Sequence, residues 1–239
     1  MHTPADSGPT DSTGIEWFFD PISPFAYLQS TRLRSLASRA RLTCTPVLFA
    51  GLLEHHGNKG PAEVAPKRQW TFEHVAWLAW REAIPLKLPA AHPFVPLPLL
   101  RAAIAGGCTL DVVERIFRFV WVDGHLPQDA NAYARLLNSL QIDAADVERT
   151  EVKAALRQNT ERAIESGVFG VPTLRIDGHN FWGQDATDMA LAWLERSPFF
   201  ESDLLRQARA LPQGVSRRMP GLPRPAGLDA PYPEIQNKE

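Results

Sequence analysis

Ser23 is the residue on which chemistry can be built. It follows the run Ile15-Glu16-Trp17-Phe18-Phe19-Asp20 through Pro21-Ile22, and it precedes Pro24-Phe25-Ala26. The run reads as a buried strand, and the residues after it as a helix start, because serine caps a helix and proline suits its first position. A dithiol redox enzyme would carry cysteines at positions 23 and 26, where this chain has Ser23 and Ala26. A serine cannot exchange disulfides. Its hydroxyl can hydrogen-bond the sulfur of a bound thiol and so favour the thiolate, which is the nucleophile. The same oxygen could instead act only as a helix cap, and both readings stay open at this point.

A second group of residues lies far along the chain. Gly167-Val168-Phe169-Gly170-Val171-Pro172 precedes the alternating stretch Thr173-Leu174-Arg175-Ile176-Asp177, which reads as a strand. Asp177-Gly178 predicts a hairpin turn, with residues 179–182 as the return strand. Gly183-Gln184-Asp185 then opens a helix expected over about 184–196. Backbone N–H groups at such a start suit a carboxylate, and the Asp185 side chain suits an ammonium; an acidic residue in a first helical turn is also stabilising with no ligand at all. Asn58 and Lys67 flank the segment Gly60-Pro61-Ala62-Glu63-Val64-Ala65-Pro66. They read either as a turn asparagine and a surface lysine or as ligand contacts.

The elements that must position these residues follow from the rest of the chain. A helix is expected over about 24–40 and a strand over about 42–48. The middle is helical: a segment from Lys67 to Glu82 carrying Phe72, Val75, Ala76, Trp77, Ala79 and Trp80, then stretches over 97–105 and 110–122. Trp77 and Trp80, three apart, are expected to form a packed helix face rather than a stacking platform. Asp129 could cap a helix to about Ser139, and Asp143 a long one ending near Ser166 with Gly167 as its left-handed stop. Pro85, Pro89, Pro93, Pro96 and Pro98 mark an irregular connection.

Composition is that of an ordinary globular protein, with 239 residues, 44% hydrophobic and 22% charged. A formal net charge of −2 gives no electrostatic case for nucleic acid or an anionic membrane. Residues 1–14 lack the basic start and apolar core of a signal peptide, and no apolar run approaches a membrane span. The two cysteines, Cys44 and Cys108, have neither metal nor redox spacing and read as buried or partly buried thiols, consistent with a reducing compartment. A cytoplasmic location is the expectation, with no metal site. Pro212, Pro220, Pro223, Pro225, Pro231 and Pro233 predict a loosely ordered C-terminal tail.

The ordered set Phe19-Asp20-Pro21-Ile22-Ser23-Pro24-Phe25-Ala26-Tyr27-Leu28, Gly57-Asn58-Lys59, Lys67-Arg68, His92-Pro93-Phe94, Gly170-Val171-Pro172-Thr173 and Phe181-Trp182-Gly183-Gln184-Asp185 resembles the 2-hydroxychromene-2-carboxylate isomerase family, within the DsbA-like group that includes kappa-class glutathione transferases. The resemblance covers roughly residues 15–196. It implies an α/β, thioredoxin-like fold with a helical domain inserted between its two halves. The halves are 15–56 and 167–196 and the insertion is 57–166, with a flexible extension over 1–14 and a C-terminal segment with the Pro-rich tail over 197–239.

It further implies glutathione as a thiol cofactor, a small aromatic substrate and a homodimer. Ser23 would hold the thiolate. A cis Val171-Pro172 bond would offer the Val171 backbone to the cysteinyl part. Gln184 and Asp185 would take the γ-glutamyl part, with Asn58 and Lys67 assisting at either ligand. A kappa-like glutathione transferase and a non-catalytic thiol-binding protein remain the alternatives. Two departures from the family lie on the substrate side. Val95 stands where relatives often have asparagine, and Trp70, His74 and Ala76 stand in a helix where relatives often have Tyr, Asp and Arg.

Overall fold

Strand β1 (Gly14–Phe19) pairs in parallel with β2 (Arg41–Pro46) and antiparallel with β3 (Thr173–Ile176), which pairs antiparallel with β4 (His179–Trp182), giving the order β2-β1-β3-β4. The computed structural model describes residues 14–214. The expected N-terminal extension, apart from Gly14, and the tail beyond residue 214 lie outside the described residues. The described chain falls into two units, one ending at Ser197 and one beginning at Pro198.

β1 is apolar at nearly every position because both of its faces are covered. Trp17 and Phe19 point to one face and stack on each other with centroids 4.6 Å apart, and Phe117 lies 5.8 Å from both. Phe18 points to the other face, into a cluster with Val47, Leu52, Ala163, Val168 and Val171. Helices α1 (Pro24–Ser30) and α2 (Leu33–Ala37) connect β1 to β2, and α3 (Phe49–His55) follows β2. Six further α-helices lie between α3 and β3: α4 (Ala65–Arg81), α5 (Leu97–Ala105), α6 (Leu110–Trp121), α7 (Ala130–Leu140), α8 (Ala144–Val147) and α9 (Thr150–Glu165). α10 (Thr187–Leu194) follows β4. In the second unit α11 (Asp203–Arg209) is capped by Ser202. This is a thioredoxin-like sheet with helices inserted between its halves. Among the described residues no helix is long and apolar enough to cross a membrane.

Four expectations need correction. The helix over 24–40 is broken, because Ser30 and Thr31 hydroxyls bond back to the Tyr27 and Leu28 carbonyls at 2.6 and 2.8 Å and compete for helical acceptors. The helix begun at Asp143 is broken at Arg149, whose ψ of 144° is extended. At that break Glu148 pairs with Arg101 at 3.0 Å and with Lys153 at 2.7 Å. The last helix of the first unit starts at Thr187, so Gln184 and Asp185 sit in the turn before it. Finally, Trp77 and Trp80 do not form a packed face: they are 49% and 80% exposed. Val75, Leu78 and Ala79 make the buried face of α4 instead, and the tryptophans fall outside that stripe.

Candidate functional site

Ser23 sits at the junction the sequence predicts. It is the N-cap of α1, with Pro24 at the first helical position, and its Oγ accepts from the Ala26 N–H at 3.2 Å. The capping role is therefore real, and it does not use up the hydroxyl. A capping oxygen accepts with a lone pair and keeps its proton to donate. That proton reaches the Val171 carbonyl at 3.5 Å, the far limit of a hydrogen bond, so a better acceptor would take it readily. α1 has only seven residues, so its N-terminal field is modest and the hydroxyl is the stronger local group.

The Ser23–Val171 contact joins two segments that are distant in sequence. The Val171-Pro172 bond is cis, as the resemblance implies. The Pro172 carbonyl accepts from the Gly183 N–H at 2.9 Å, which ties the Gln184-Asp185 turn to the same end of the sheet. Gly183 has φ +100°, and a Cβ there would stand 2.4 Å from Asp185 Oδ1, so the tight turn requires glycine. Asn58 lies in the exposed loop after α3, with its N–H on the Leu53 carbonyl at 2.9 Å. Lys67 is exposed in the first turn of α4. The Ser23 hydroxyl thus meets Val171, and the Gly183–Pro172 backbone bond brings the Gln184-Asp185 turn to the same segment. Among the described residues neither Asn58 nor Lys67 has a side-chain hydrogen bond to these residues.

Sequence reasoning gave no role to four residues here: Asp20, Trp121 and His92 hold the Ser23 loop, and Gln29 holds the turn beside it. Asp20 is fully buried, and its carboxylate accepts from the Ile22 and Phe49 N–H groups at 3.0 Å each. Its carbonyl accepts from the Ser23 N–H at 3.0 Å. Trp121 Nε1, from α6, donates to the Pro21 carbonyl at 2.9 Å, and His92 Nε2 meets the Ile22 carbonyl at 2.8 Å. A carbonyl can only accept, so Nε2 carries the proton in the neutral ring, and burial holds His92 below its usual range. Its Nδ1 is then a buried acceptor with no partner among the described residues. Gln29, also fully buried, accepts from Trp17 Nε1 at 2.7 Å and donates to the Gly183 carbonyl at 3.0 Å and to Thr187 Oγ1 at 2.9 Å. It links β1, α1 and the Gln184-Asp185 turn. A charge closing an apolar strand, and a glutamine on an otherwise apolar helix face, were the available signals for Asp20 and Gln29.

Burial pushes the Asp20 carboxyl up to about 7, against the two backbone hydrogen bonds that pull it down. Burial likewise raises the Cys44 and Cys108 thiols to about 12 and about 11, which makes both poor nucleophiles. Phe94 is buried while Val95 is 54% exposed. Among the described residues no group of three His, Cys, Asp or Glu could hold a metal ion.

Residues 14–195 match the family model of the DSBA-like thioredoxin domain. The chain belongs to the DSBA-like thioredoxin family. Among curated proteins, this DSBA-like chain is 27% identical over 189 residues to a 2-hydroxychromene-2-carboxylate isomerase of Sphingobium xenophagum, covering 75% of this chain and 97% of that one. It is 29% identical over 185 residues to a glutathione S-transferase kappa 2 of Caenorhabditis elegans, covering 69% of this chain and 82% of that one. Among solved structures it resembles a 2-hydroxychromene-2-carboxylate isomerase with TM-score 0.67 and 24% identity, over 84% of this chain and all of that chain, a likeness of fold.

Proposed function

We propose that this DSBA-like chain is a glutathione-dependent isomerase of the 2-hydroxychromene-2-carboxylate isomerase type, acting on a small aromatic-degradation intermediate. One observation carries the reading. Where a dithiol enzyme would place its own sulfur, the chain places the Ser23 hydroxyl, 3.5 Å from the Val171 carbonyl beside a cis proline. The relatives named isomerase and kappa transferase support it.

The residues present suit a thiol tripeptide. Ser23 Oγ keeps a proton for the sulfur, and its cap bond to Ala26 holds that oxygen in place. A hydrogen bond to a charged acceptor contributes about 1.5–3 kcal/mol, enough to lower a thiol's pKa by about one to two units. The Val171 backbone can pair with an extended peptide. The Gln184 turn would take the γ-glutamyl carboxylate and Asp185 its ammonium, with Asn58 and Lys67 assisting at either ligand. Bound glutathione would supply a thiolate that adds to an activated double bond, lets the bond now single rotate, and leaves by elimination. Asp20, His92 and Trp121 keep the Ser23 loop fixed throughout.

The kappa relative favours a second reading, a transferase in which the glutathione adduct is released. Product analysis separates the two. Isomer formed with the glutathione pool unchanged supports the isomerase, while a conjugate accumulating as glutathione is consumed refutes it. A non-catalytic thiol-binding protein would bind glutathione in calorimetry and turn nothing over.

A further inference from the structure

Trp182 at the end of β4 is half exposed, and so is Phe169 in the segment before β3, yet the two rings pack on each other. Their centroids lie 4.9 Å apart with the planes tilted by 58°. The Trp182 indole also closes on Gly170. A Cβ built at Gly170 would stand 2.5 Å from Trp182 Nε1, and 3.2 and 3.3 Å from Cε2 and Cδ1. No methyl group fits at the first of these distances, since non-bonded atoms settle about 3.5–4.0 Å apart. Gly170 is not at positive φ, so a left-handed backbone is not the reason for glycine there. The indole is: position 170 holds the one residue that lets the ring come so near.

That close approach falls beside the Val171 carbonyl. Thr173 Oγ1 donates to the Gly170 carbonyl at 2.8 Å, and the Gly183 N–H to the Pro172 carbonyl at 2.9 Å. The Val171 carbonyl lies between these two in sequence, and it is the one that meets Ser23 Oγ at 3.5 Å. Trp182 is paired with Thr173 across β3 and β4, so the sheet register fixes where the indole starts. The two backbone acceptors tie the segment down at residues 170 and 172. The indole adds a steric stop at Gly170, and Phe169 braces the ring that provides it.

We propose that Trp182 is a positioning residue of the Ser23 site: its indole, braced by Phe169, closes on Gly170 and so sets the Val171 carbonyl opposite the Ser23 hydroxyl. Trp182 acts through Gly170 and Val171, on the backbone with which the cysteinyl part of a thiol peptide would pair. The role rests on the glutathione reading for its ligand. The contact that carries it does not, because it is present without one.

The test is a size swap across the contact in the full chain. Trp182→Leu removes the indole atoms that face Gly170, Gly170→Ala drives a methyl into them, and the double variant gives the methyl the space the indole left. In crystal structures without glutathione, the Ser23 Oγ–Val171 carbonyl distance should pass beyond hydrogen-bond reach in each single variant and return in the double. The glutathione dissociation constant should rise about two- to tenfold in each single variant, the worth of one backbone hydrogen bond, and recover in the double. The bound thiol, followed by its ultraviolet absorbance, should ionise nearer the free value of about 8.5 in each single variant and fall back in the double. Gly170→Ala failing to fold while the double variant folds would support the same contact. A bound thiol that ionises in both single variants as in wild type would overturn the proposal. So would single losses that simply add in the double variant, or an unmoved Val171 carbonyl in Trp182→Leu. Wild type failing to bind glutathione would refute the isomerase reading alone, because the Val171 position is read without it.

Discussion

Replacing Asp20 by asparagine should change how stability depends on pH. Asp20 is fully buried, and it has no ion-pair partner among the described residues. Burial raises its carboxyl from 3.8 to about 7, although two backbone N–H groups favour the ionised form. That interval corresponds to about 4 kcal/mol, an upper figure for one group. Because the folded-state value lies above the unfolded one, the folded protein holds its proton more tightly. Its contribution to stability is complete below the unfolded value and is lost as pH rises to about 7, beyond which it stays lost. Asparagine does not titrate. It keeps one acceptor oxygen for the Ile22 or Phe49 N–H but turns an NH2 toward the other, at a fixed expense of about 1–3 kcal/mol. Urea unfolding of both proteins should therefore show wild type the more stable at about pH 4, with its advantage shrinking by as much as about 4 kcal/mol and reversing by about pH 8. Other titrating groups cancel in the difference. Parallel stability curves for the two proteins would refute the reasoning, since Asp20 would then hold the same proton affinity folded and unfolded.

Gln29→Leu should destabilise the fold by at least about 2 kcal/mol, because it leaves Trp17 Nε1 and the Gly183 carbonyl without their partner; a shift in urea midpoint checks this, and a neutral result would contradict it. Cys44 and Cys108, held at about 12 and about 11 by burial, should resist a chromogenic disulfide reagent at about pH 8 until the protein is unfolded; rapid labelling of the native protein would show the thiols to be accessible.

What the sequence displayed depended on how local the cause was. The Asp177-Gly178 hairpin was legible because the turn's positive φ angles, 49° and 86°, favour those residue types whatever surrounds them. Ser23-Pro24 announced α1, and Asp129 announced α7, for the same reason: a cap acts within three residues. The breaks after Ser30 and at Arg149 were hidden, since apolar spacing continues across them: at the first the backbone stays in the right-handed helical region while hydroxyls take the carbonyls, and at the second it departs at Arg149 alone. The α4 tryptophans misled because periodicity shows which residues share a face but not whether anything covers it. Asp20, Gln29, His92 and Trp121 show the same limit at the site. Each acts on a backbone group brought near by folding; Trp121 meets Pro21 across 100 residues of chain. The cis Val171-Pro172 bond was legible only through the family resemblance, since most X–Pro bonds are trans.

The central claim is that Ser23 holds a borrowed sulfur as thiolate. The most direct test is a pH titration of the ultraviolet thiolate absorbance of glutathione bound to wild type and to Ser23→Ala. The account predicts that bound glutathione ionises below the ordinary thiol value of about 8.5 in wild type, and about one to two units higher in Ser23→Ala than in wild type. The same ionisation in both proteins would contradict it and leave Ser23 as a helix cap alone.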